Sequence, residues 1–180
     1  MKFRLSIGAC ILISLALVLF GLGYGTVSGY QQDRAHIVAL LEDENGLLDV
    51  LGYRGADGLN LCVVADRHIK GDADVEALRA AGEALRDDKA ALSTKKAEDE
   101  RLKTAVAAVR EKLLATPSFN ASARDVAYLE MLGNDLKQME NTSVAQTYND
   151  AALKFNASLN APLSGLIAKL FGVAPCELFE

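Results

Sequence analysis

Two histidines are the side chains in this chain best suited to acid–base or metal chemistry. His36 and His68 lie on different predicted stretches, and neither has a second histidine at the i+4 spacing of a helical zinc site. A metal site that combines both histidines with an acid such as Asp33 or Asp66 is the alternative. Solvated or helix-packing histidines are favoured over it, so we predict no metal and no other cofactor.

A serine and a lysine three residues apart form the second pattern that could belong to a catalytic site. Ser93 and Lys96 satisfy Ser-x-x-Lys, but the companion motifs of serine acyl enzymes are missing from the sequence, as is a Gly-x-Ser-x-Gly elbow. The charges from Arg86 to Arg101 are of mixed sign, which is typical of a solvated face and loop. We therefore interpret this region as solvated surface.

Two groups of glycines have the density of a phosphate-binding loop. Such a loop must follow a strand and open a helix, whereas one group borders an apolar N-terminal segment and the other is predicted between helices. The groups are Gly21, Gly23 and Gly25, and Gly52, Gly55 and Gly58. With no phosphate loop, nucleophile or metal site expected, we predict that the protein is not an enzyme.

The composition favours helices. Hydrophobic residues make up 51% of the 180 residues, yet aromatics are only 6%, prolines number 3 and tryptophan is missing. Alanine and leucine dominate, which favours helix over sheet, and we predict an all-α fold. The net charge of −5, without a basic stripe, argues against nucleic acid as a partner.

An uncharged segment at the N-terminus is expected to determine where the following domain is located. No charge occurs from Leu5 to Leu22, a length of about 27 Å as helix, close to the ~30 Å hydrocarbon core of a bilayer. We predict a transmembrane helix over residues 5–24, and a cleaved signal peptide is the alternative. Because Lys2 and Arg4 precede the span, residues 1–4 are expected in the cytoplasm and the domain outside it.

Residues 25–160 carry four stretches of apolar residues at helical spacing. Glycine and proline separate them, and short connections favour an antiparallel four-helix bundle. The stretches are Thr26 to Leu51, Val75 to Leu92, Glu98 to Ala115 and Ala123 to Leu159, the last with a kink or rotation at Glu140 to Ser143. Cys62 and Cys176 are free to pair in such a domain, but single buried thiols are favoured.

Residues 161–180 form a separate apolar segment after Pro162. Its apolar positions recur at helical spacing from Leu163 to Phe171, and in that stretch Lys169 is the single charged residue. Three destinations are open to this apolar face: the chain's own bundle, a partner protein and the bilayer surface. The candidate interaction residues are Leu163, Leu166, Ile167, Leu170 and Phe171.

The last thirty residues carry a family pattern. It consists of Tyr-Asn-x-Ala followed by Phe-Asn, then a proline, Leu-Ile-Ala-x-Leu-Phe-Gly, and a Pro...Phe-Glu ending. The matching residues are Tyr148, Asn149, Ala151, Phe155, Asn156, Pro162, the segment 166–172, Pro175, Phe179 and Glu180. In this pattern the chain resembles the LemA family of membrane-anchored four-helix bundle proteins. It departs from them in lacking a tryptophan and in the residues before Ile69, Lys70 and Gly71.

The resemblance implies a single-pass protein of the bacterial inner membrane with an extracytoplasmic domain. We expect a structural or protein-interaction role in the cell envelope, with the membrane and an unidentified envelope protein as partners. The alternative is an extracytoplasmic ligand-sensing helical bundle. Neither the oligomeric state nor a biochemical activity follows from the sequence.

Overall fold

The computed structural model describes residues 6–140 and 142–180, and the predicted cytoplasmic residues 1–4 lie outside the described part. Every regular element in those residues is a helix, which confirms the all-α prediction. The helices are α1 Ile7–Glu42, α2 Leu47–Ala65, α3 Ala73–Leu85, α4 Leu92–Ala115, α5 Pro117–Asn120, α6 Ala123–Glu140, α7 Val144–Ser158 and α8 Ser164–Leu170.

The 36-residue helix α1 extends for about 54 Å and begins with the apolar segment. It is long and apolar enough to cross a membrane, and no residue of its most apolar stretch is buried. The predicted continuation from this segment into the first soluble helix holds to Glu42 and is wrong beyond it. Asn45 adopts the left-handed conformation with φ 64°, which ends α1 before α2 begins.

The glycines at 52, 55 and 58 lie inside α2, so the prediction that they separate helices was wrong. Gly55 and Gly58 serve packing instead: a Cβ on Gly55 would lie 2.6 Å from the Gly82 carbonyl oxygen of α3, and one on Gly82 would lie 2.9 Å from that of Gly55. A Cβ on Gly58 would lie 2.9 Å from Leu102 of α4. Close backbone approach requires residues without a side chain here.

Helix α3 ends earlier, and α4 begins earlier, than the sequence predicts. Asp72 caps α3 as expected, because its Oδ1 accepts from the Asp74 amide at 2.9 Å. Leu92 does not continue α3 but opens α4. Lys95, interpreted from sequence as solvated, is buried and donates to the Leu85 carbonyl at 2.6 Å, which satisfies the end of α3. A buried lysine looks polar in sequence and packs by its stem.

Two compact units make up the chain, divided within α1 and near the start of α7. The core unit spans Ala39–Asn149 and Glu177–Glu180, and in it α2, α3, α4 and α6 pack on one another. The α1 unit holds the chain up to Val38 together with Asp150–Cys176, so it contains most of α1, the end of α7 and all of α8. The fourth predicted helix is two helices, α6 and α7, separated at the expected interruption.

Candidate functional site

The candidate interaction residues lie on and beside α8, a helix of seven residues. Four of the five side chains are exposed within the structure, and Ile167 is half-buried. The exposed fractions are 77% for Leu163, 56% for Leu166, 76% for Leu170 and 69% for Phe171. The structure thus leaves most of the apolar face of α8 uncovered.

Small residues, not leucines, form the buried face of α8. Gly165 and Ala168 are buried, and a Cβ on Gly165 would lie 2.2 Å from the Leu159 carbonyl oxygen at the end of α7. Only a glycine permits this approach, because a side chain would collide with backbone. The packing of α8 through its small residues directs the large apolar residues away from the chain.

Tyr30 of α1 holds the beginning of α8 in place. Its hydroxyl donates to the Ser158 carbonyl at 2.7 Å and lies 3.2 Å from the Ser164 hydroxyl, and its ring contacts Phe155 edge-on. Tyr30 was not singled out from the sequence, because a tyrosine past an apolar segment gives no sign of a partner 128 residues later. The contact ties α7 and α8 to the stretch of α1 that follows the apolar segment.

Two asparagines of α7 bind the backbone of the C-terminal residues. Asn156 accepts from the Cys176 amide and donates to its carbonyl, both at 2.8 Å, within the α1 unit. Asn149 pairs in the same way with Phe179, both bonds at 2.9 Å, within the core unit. Their amides satisfy backbone groups of an extended tail that has no helix of its own.

The end of the chain is further held in the core unit. The Tyr148 hydroxyl donates to the Glu177 carbonyl at 2.6 Å, and a Glu177 carboxylate oxygen accepts from the Ser93 amide at 3.2 Å. Phe179 is buried, with the Lys96 ammonium 5.4 Å from its ring centre. The tail therefore differs from α8: residues 176–179 are held by the protein, whereas α8 exposes its apolar face.

The cysteines are free thiols, so the pairing of Cys62 with Cys176 is not formed. Burial raises the pKa of the Cys62 thiol to about 11, which keeps it protonated and unreactive at neutral pH. Burial also raises the pKa of the Cys176 thiol, and the nearby Arg34 guanidinium opposes that shift. Both side chains act as packing residues.

His68 lies in a polar cluster that the sequence did not reveal. Its Nε2 is 2.9 Å from Asp125 Oδ2 and its Nδ1 is 3.1 Å from the Ser118 hydroxyl, an order of Ser, His and Asp that resembles an acyl-transfer triad. Arg67 and Ser122 also donate to Asp125, and the His68 bond is the chief cause that lowers the pKa of this carboxyl. His36, in contrast, is exposed on α1.

This cluster joins three elements of the core unit. His68 belongs to the turn after α2, Ser118 to α5 and Asp125 to the first turn of α6, and the His68 ring contacts the buried Phe119 edge-on. The bonds from His68 and Arg67 to Asp125 and the contact of His68 with Ser118 each hold one element to another, whereas Ser122 bonds Asp125 within the start of α6. Its geometry therefore accounts for how α5 and α6 are attached to α2.

Two further ionic groups are buried between helices of the core unit. Arg54 of α2 and Asp99 of α4 form an ion pair at 2.7 Å, and burial raises the pKa of Asp99 while Arg54 opposes the shift. Burial lowers the pKa of Lys95. In the described residues, no group of three or more His, Cys, Asp or Glu side chains is placed to hold a metal ion.

A surface depression of about 750 Å³ lies beside α2 in the core unit. Acidic residues at the end of α1 and at the start of α2 line it, together with Leu48 and Leu85. Its volume is within the range of small-molecule sites.

Comparisons with protein-family models, with curated proteins and with solved structures each find no match to this chain.

Proposed function

We propose that this protein is a single-pass protein of the bacterial inner membrane, with its helical domain outside the cytoplasm and a structural or protein-interaction role in the envelope. The observation that carries the proposal is the exposed apolar surface of α1. A water-soluble protein would bury such a stretch, because each leucine left in water forgoes about 1.5–3 kcal/mol of burial. A bilayer covers it along its whole length.

The orientation rests on charge. Lys2 and Arg4 precede the apolar segment, and Asp33 is the first charged residue after it. Basic residues stay on the cytoplasmic side of a span, so the domain after α1 is placed on the other side.

The domain is proposed to be an antiparallel four-helix bundle of α2, α3, α4 and α6. The contacts among these four helices support it, as do the short connections that link α2 to α3 and α3 to α4. The C-terminal pattern supports membership of the LemA family, since Tyr148, Asn149, Phe155 and Asn156 each contact the tail or a neighbouring helix.

An interaction role is proposed in preference to catalysis, with an envelope protein as the partner of the domain. The polar cluster around His68 supports this, because Asp125 holds α6 to His68 and Arg67 after α2, and His68 also contacts Ser118 of α5. A serine-reactive phosphonate offers a direct check. Labelling of the full chain that disappears on Ser118→Ala would contradict the non-catalytic assignment.

Protease access in intact spheroplasts tests the topology. We expect the domain to be digested from outside while the protein stays in the membrane fraction after alkaline extraction. Complete protection in intact spheroplasts, with digestion only after lysis, would overturn the orientation. Release of the full-length chain by alkaline extraction would overturn the anchor, and a mature chain without residues 1–24 would show a cleaved signal peptide.

A second candidate function is extracytoplasmic ligand sensing, favoured by the depression beside α2. Its volume suits a small organic molecule, and its lining mixes Leu48 and Leu85 with carboxylates such as Glu44. A thermal-shift screen of small cationic metabolites against the full chain tests it. A stabilising compound whose effect is lost on Glu44→Gln would support sensing.

A further inference from the structure

The position of α8 along the chain brings it to the level of the bilayer surface. From Ser6 to Gln32 the helix α1 carries no charged residue, a length of about 40 Å. A bilayer is about 30 Å thick in its hydrocarbon core and about 40–45 Å with its headgroup layers. The residues before Asp33 therefore reach through the outer headgroup layer, and Tyr30 is among them.

Tyr30 is the residue that holds α8. Its hydroxyl bonds the Ser158 carbonyl and contacts Ser164, the first residue of α8. Tyr24, six residues earlier, is exposed and stacks on Phe20. Tyrosines collect at membrane–water interfaces, so Tyr24 and Tyr30 bracket the level at which the hydrocarbon gives way to headgroups. Within the α1 unit, α8 starts at that level.

The composition of α8 suits a lipid surface better than a protein groove. The helix is about 10 Å long, and together with the residue on either side of it exposes four large apolar side chains, a patch of a few hundred Å². A stable protein interface buries about 1,200–2,000 Å² in total, which this patch cannot supply alone. Binding to the bilayer needs no such area. Helix α1 already holds α8 at the membrane surface, so that α8 meets the lipid at a high effective concentration.

The charge of residues 163–176 is also consistent with a lipid surface. Between Leu163 and Cys176 only Lys169 is charged, and its ammonium donates to the Asn160 side chain at 3.2 Å. A lysine beside an apolar face reaches phosphate groups of lipids while its neighbours enter the acyl region.

We propose that α8 is an interfacial lipid-binding helix, lying in the outer headgroup layer of the membrane that α1 crosses, with Leu163, Leu166, Leu170 and Phe171 directed into the acyl boundary. The assignment rests on the proposed membrane anchor and adds a second contact with the same bilayer. It fixes the tilt and rotation of α1 relative to the membrane, since α8 is held to α1 through Tyr30.

Single tryptophans test the assignment, because the natural chain has none. Full-length Phe171→Trp is reconstituted in phosphatidylcholine vesicles with and without brominated acyl chains. Phe20→Trp reports on the anchor, and Asp150→Trp, exposed on α7 and about 12 Å along that helix from Ser158, reports on a position away from the surface. We expect brominated lipid to quench Phe20→Trp and Phe171→Trp at least twofold and to leave Asp150→Trp unchanged.

A matched pair of charged variants tests whether the quenching depends on α8 and not on the affinity of the introduced tryptophan for the membrane interface. Leu170→Glu, in the Phe171→Trp chain, should abolish most of the quenching. Leu153→Glu, the same change at an exposed leucine of α7, should leave it unchanged. Quenching that survives Leu170→Glu would overturn the assignment.

The outcomes separate the two proposals. Quenched Phe20→Trp with unquenched Phe171→Trp overturns the α8 assignment and leaves the anchor standing. An unquenched Phe20→Trp overturns both. Benzoylphenylalanine at position 171, activated in intact cells, adds a direct view of what covers the helix: lipid adducts support the assignment, and adducts to one protein in place of lipid would overturn it.

Discussion

Asn149 and Asn156 stand seven positions apart on α7, and each side-chain amide binds the tail as a neighbouring strand would. In both cases one residue of the tail gives its N–H to the amide oxygen and receives the amide N–H on its carbonyl. This reciprocal pairing is the pattern of opposed residues in an antiparallel sheet. It explains how the tail is fixed without regular structure.

Asn156→Asp tests the pairing within the α1 unit. The aspartate still accepts from the Cys176 amide but loses the donor and places a carboxylate against the Cys176 carbonyl. We expect the free energy of unfolding to fall by about 1–3 kcal/mol. Asn134→Asp, on the exposed surface of α6, is the control and should change it by less than about 0.5 kcal/mol. Equal values for the two variants in denaturant titrations would contradict the role of Asn156.

The Asp125 cluster predicts a dependence of stability on acid. Its bonds to His68, Ser122 and Arg67 lower the pKa of the Asp125 carboxyl in the folded state. A lowered folded-state pKa contributes stability above the unfolded value, near 3.9, and this contribution is lost as pH falls through the folded value. Asp125→Asn should therefore be less stable than the natural chain at pH 7, and the difference should shrink below about pH 4.

Glu130→Gln, an exposed acid on the same helix, is the control for that measurement. Its difference from the natural chain should stay small at every pH. A gap between Asp125→Asn and the natural chain that is the same at pH 7 and pH 3 would show that the charge of Asp125 contributes nothing.

The sequence predicted which residues of the ending belong to the fold but not what they bind. Tyr148, Ala152, Phe155 and Leu159 are buried, as their spacing indicated. Their neighbours Asn149 and Asn156 bind backbone 20 to 30 residues away, and periodicity carries no information on contacts at that separation. The His68 cluster was missed for the same reason, because Asp125 lies 57 residues from His68.

At the scale of elements, the glycines of α2 show where reading glycine as a loop residue fails. The same residue type that punctuates loops also permits helices to approach within backbone contact, and sequence spacing alone does not distinguish the two uses. Gly55 faces Gly82 of α3, whereas a Cβ on Gly52 would meet nothing within 4 Å. One helix thus contains a glycine required by packing and another that is not.

Opposite effects on stability are expected from alanine at these two positions. Gly55→Ala places a methyl group 2.6 Å from the Gly82 carbonyl oxygen, which must separate α2 from α3, and should cost about 1–3 kcal/mol. Gly52→Ala meets open space inside a helix and should stabilise by about 0.5–1 kcal/mol. Thermal and denaturant unfolding measure both. A gain in stability for Gly55→Ala would contradict the close approach.

For helix α8 the sequence predicted the element itself but not which of its residues are buried. The sequence predicted a short helix after Pro162, and the structure has one. Hydrophobicity identified the leucine face and left it three destinations: the chain's own bundle, a partner protein or the bilayer surface. The buried residues are instead Gly165 and Ala168, because α7 approaches too closely for larger ones. Burial here follows size, and the leucines are left for another surface.

For the whole molecule, composition and periodicity predicted the all-helical fold, the apolar N-terminal helix and most helix positions. The boundaries that failed depend on single residues with special conformations or partners. Asn45 ends α1 by its positive φ, and Lys95 stabilises the end of α3 by donating to the Leu85 carbonyl. Neither effect has a periodic signature, so only the structure places the breaks at Asp43 to Gly46 and Arg86 to Ala91.

The proposed anchoring role of α1 concerns the whole chain, and charges placed in the middle of the apolar segment test it. Leu15 and Leu19 are exposed on adjacent turns, so Leu15→Arg with Leu19→Arg changes the surface of α1 without touching a packed contact. Each arginine near the centre of a span costs about 2.5–3.5 kcal/mol of insertion free energy. The double variant should pass from the membrane fraction to the soluble or degraded fraction after alkaline extraction.

Leu15→Ile with Leu19→Ile is the matched control, because it keeps the apolar surface and should stay in the membrane fraction. If both double variants are retained equally, a surface other than α1 holds the protein to the membrane. In that case α8 becomes the first candidate, since its exposed leucines are the other large apolar surface of the α1 unit. Adding Leu166→Glu and Leu170→Glu to the arginine variant would then release the chain if α8 is responsible.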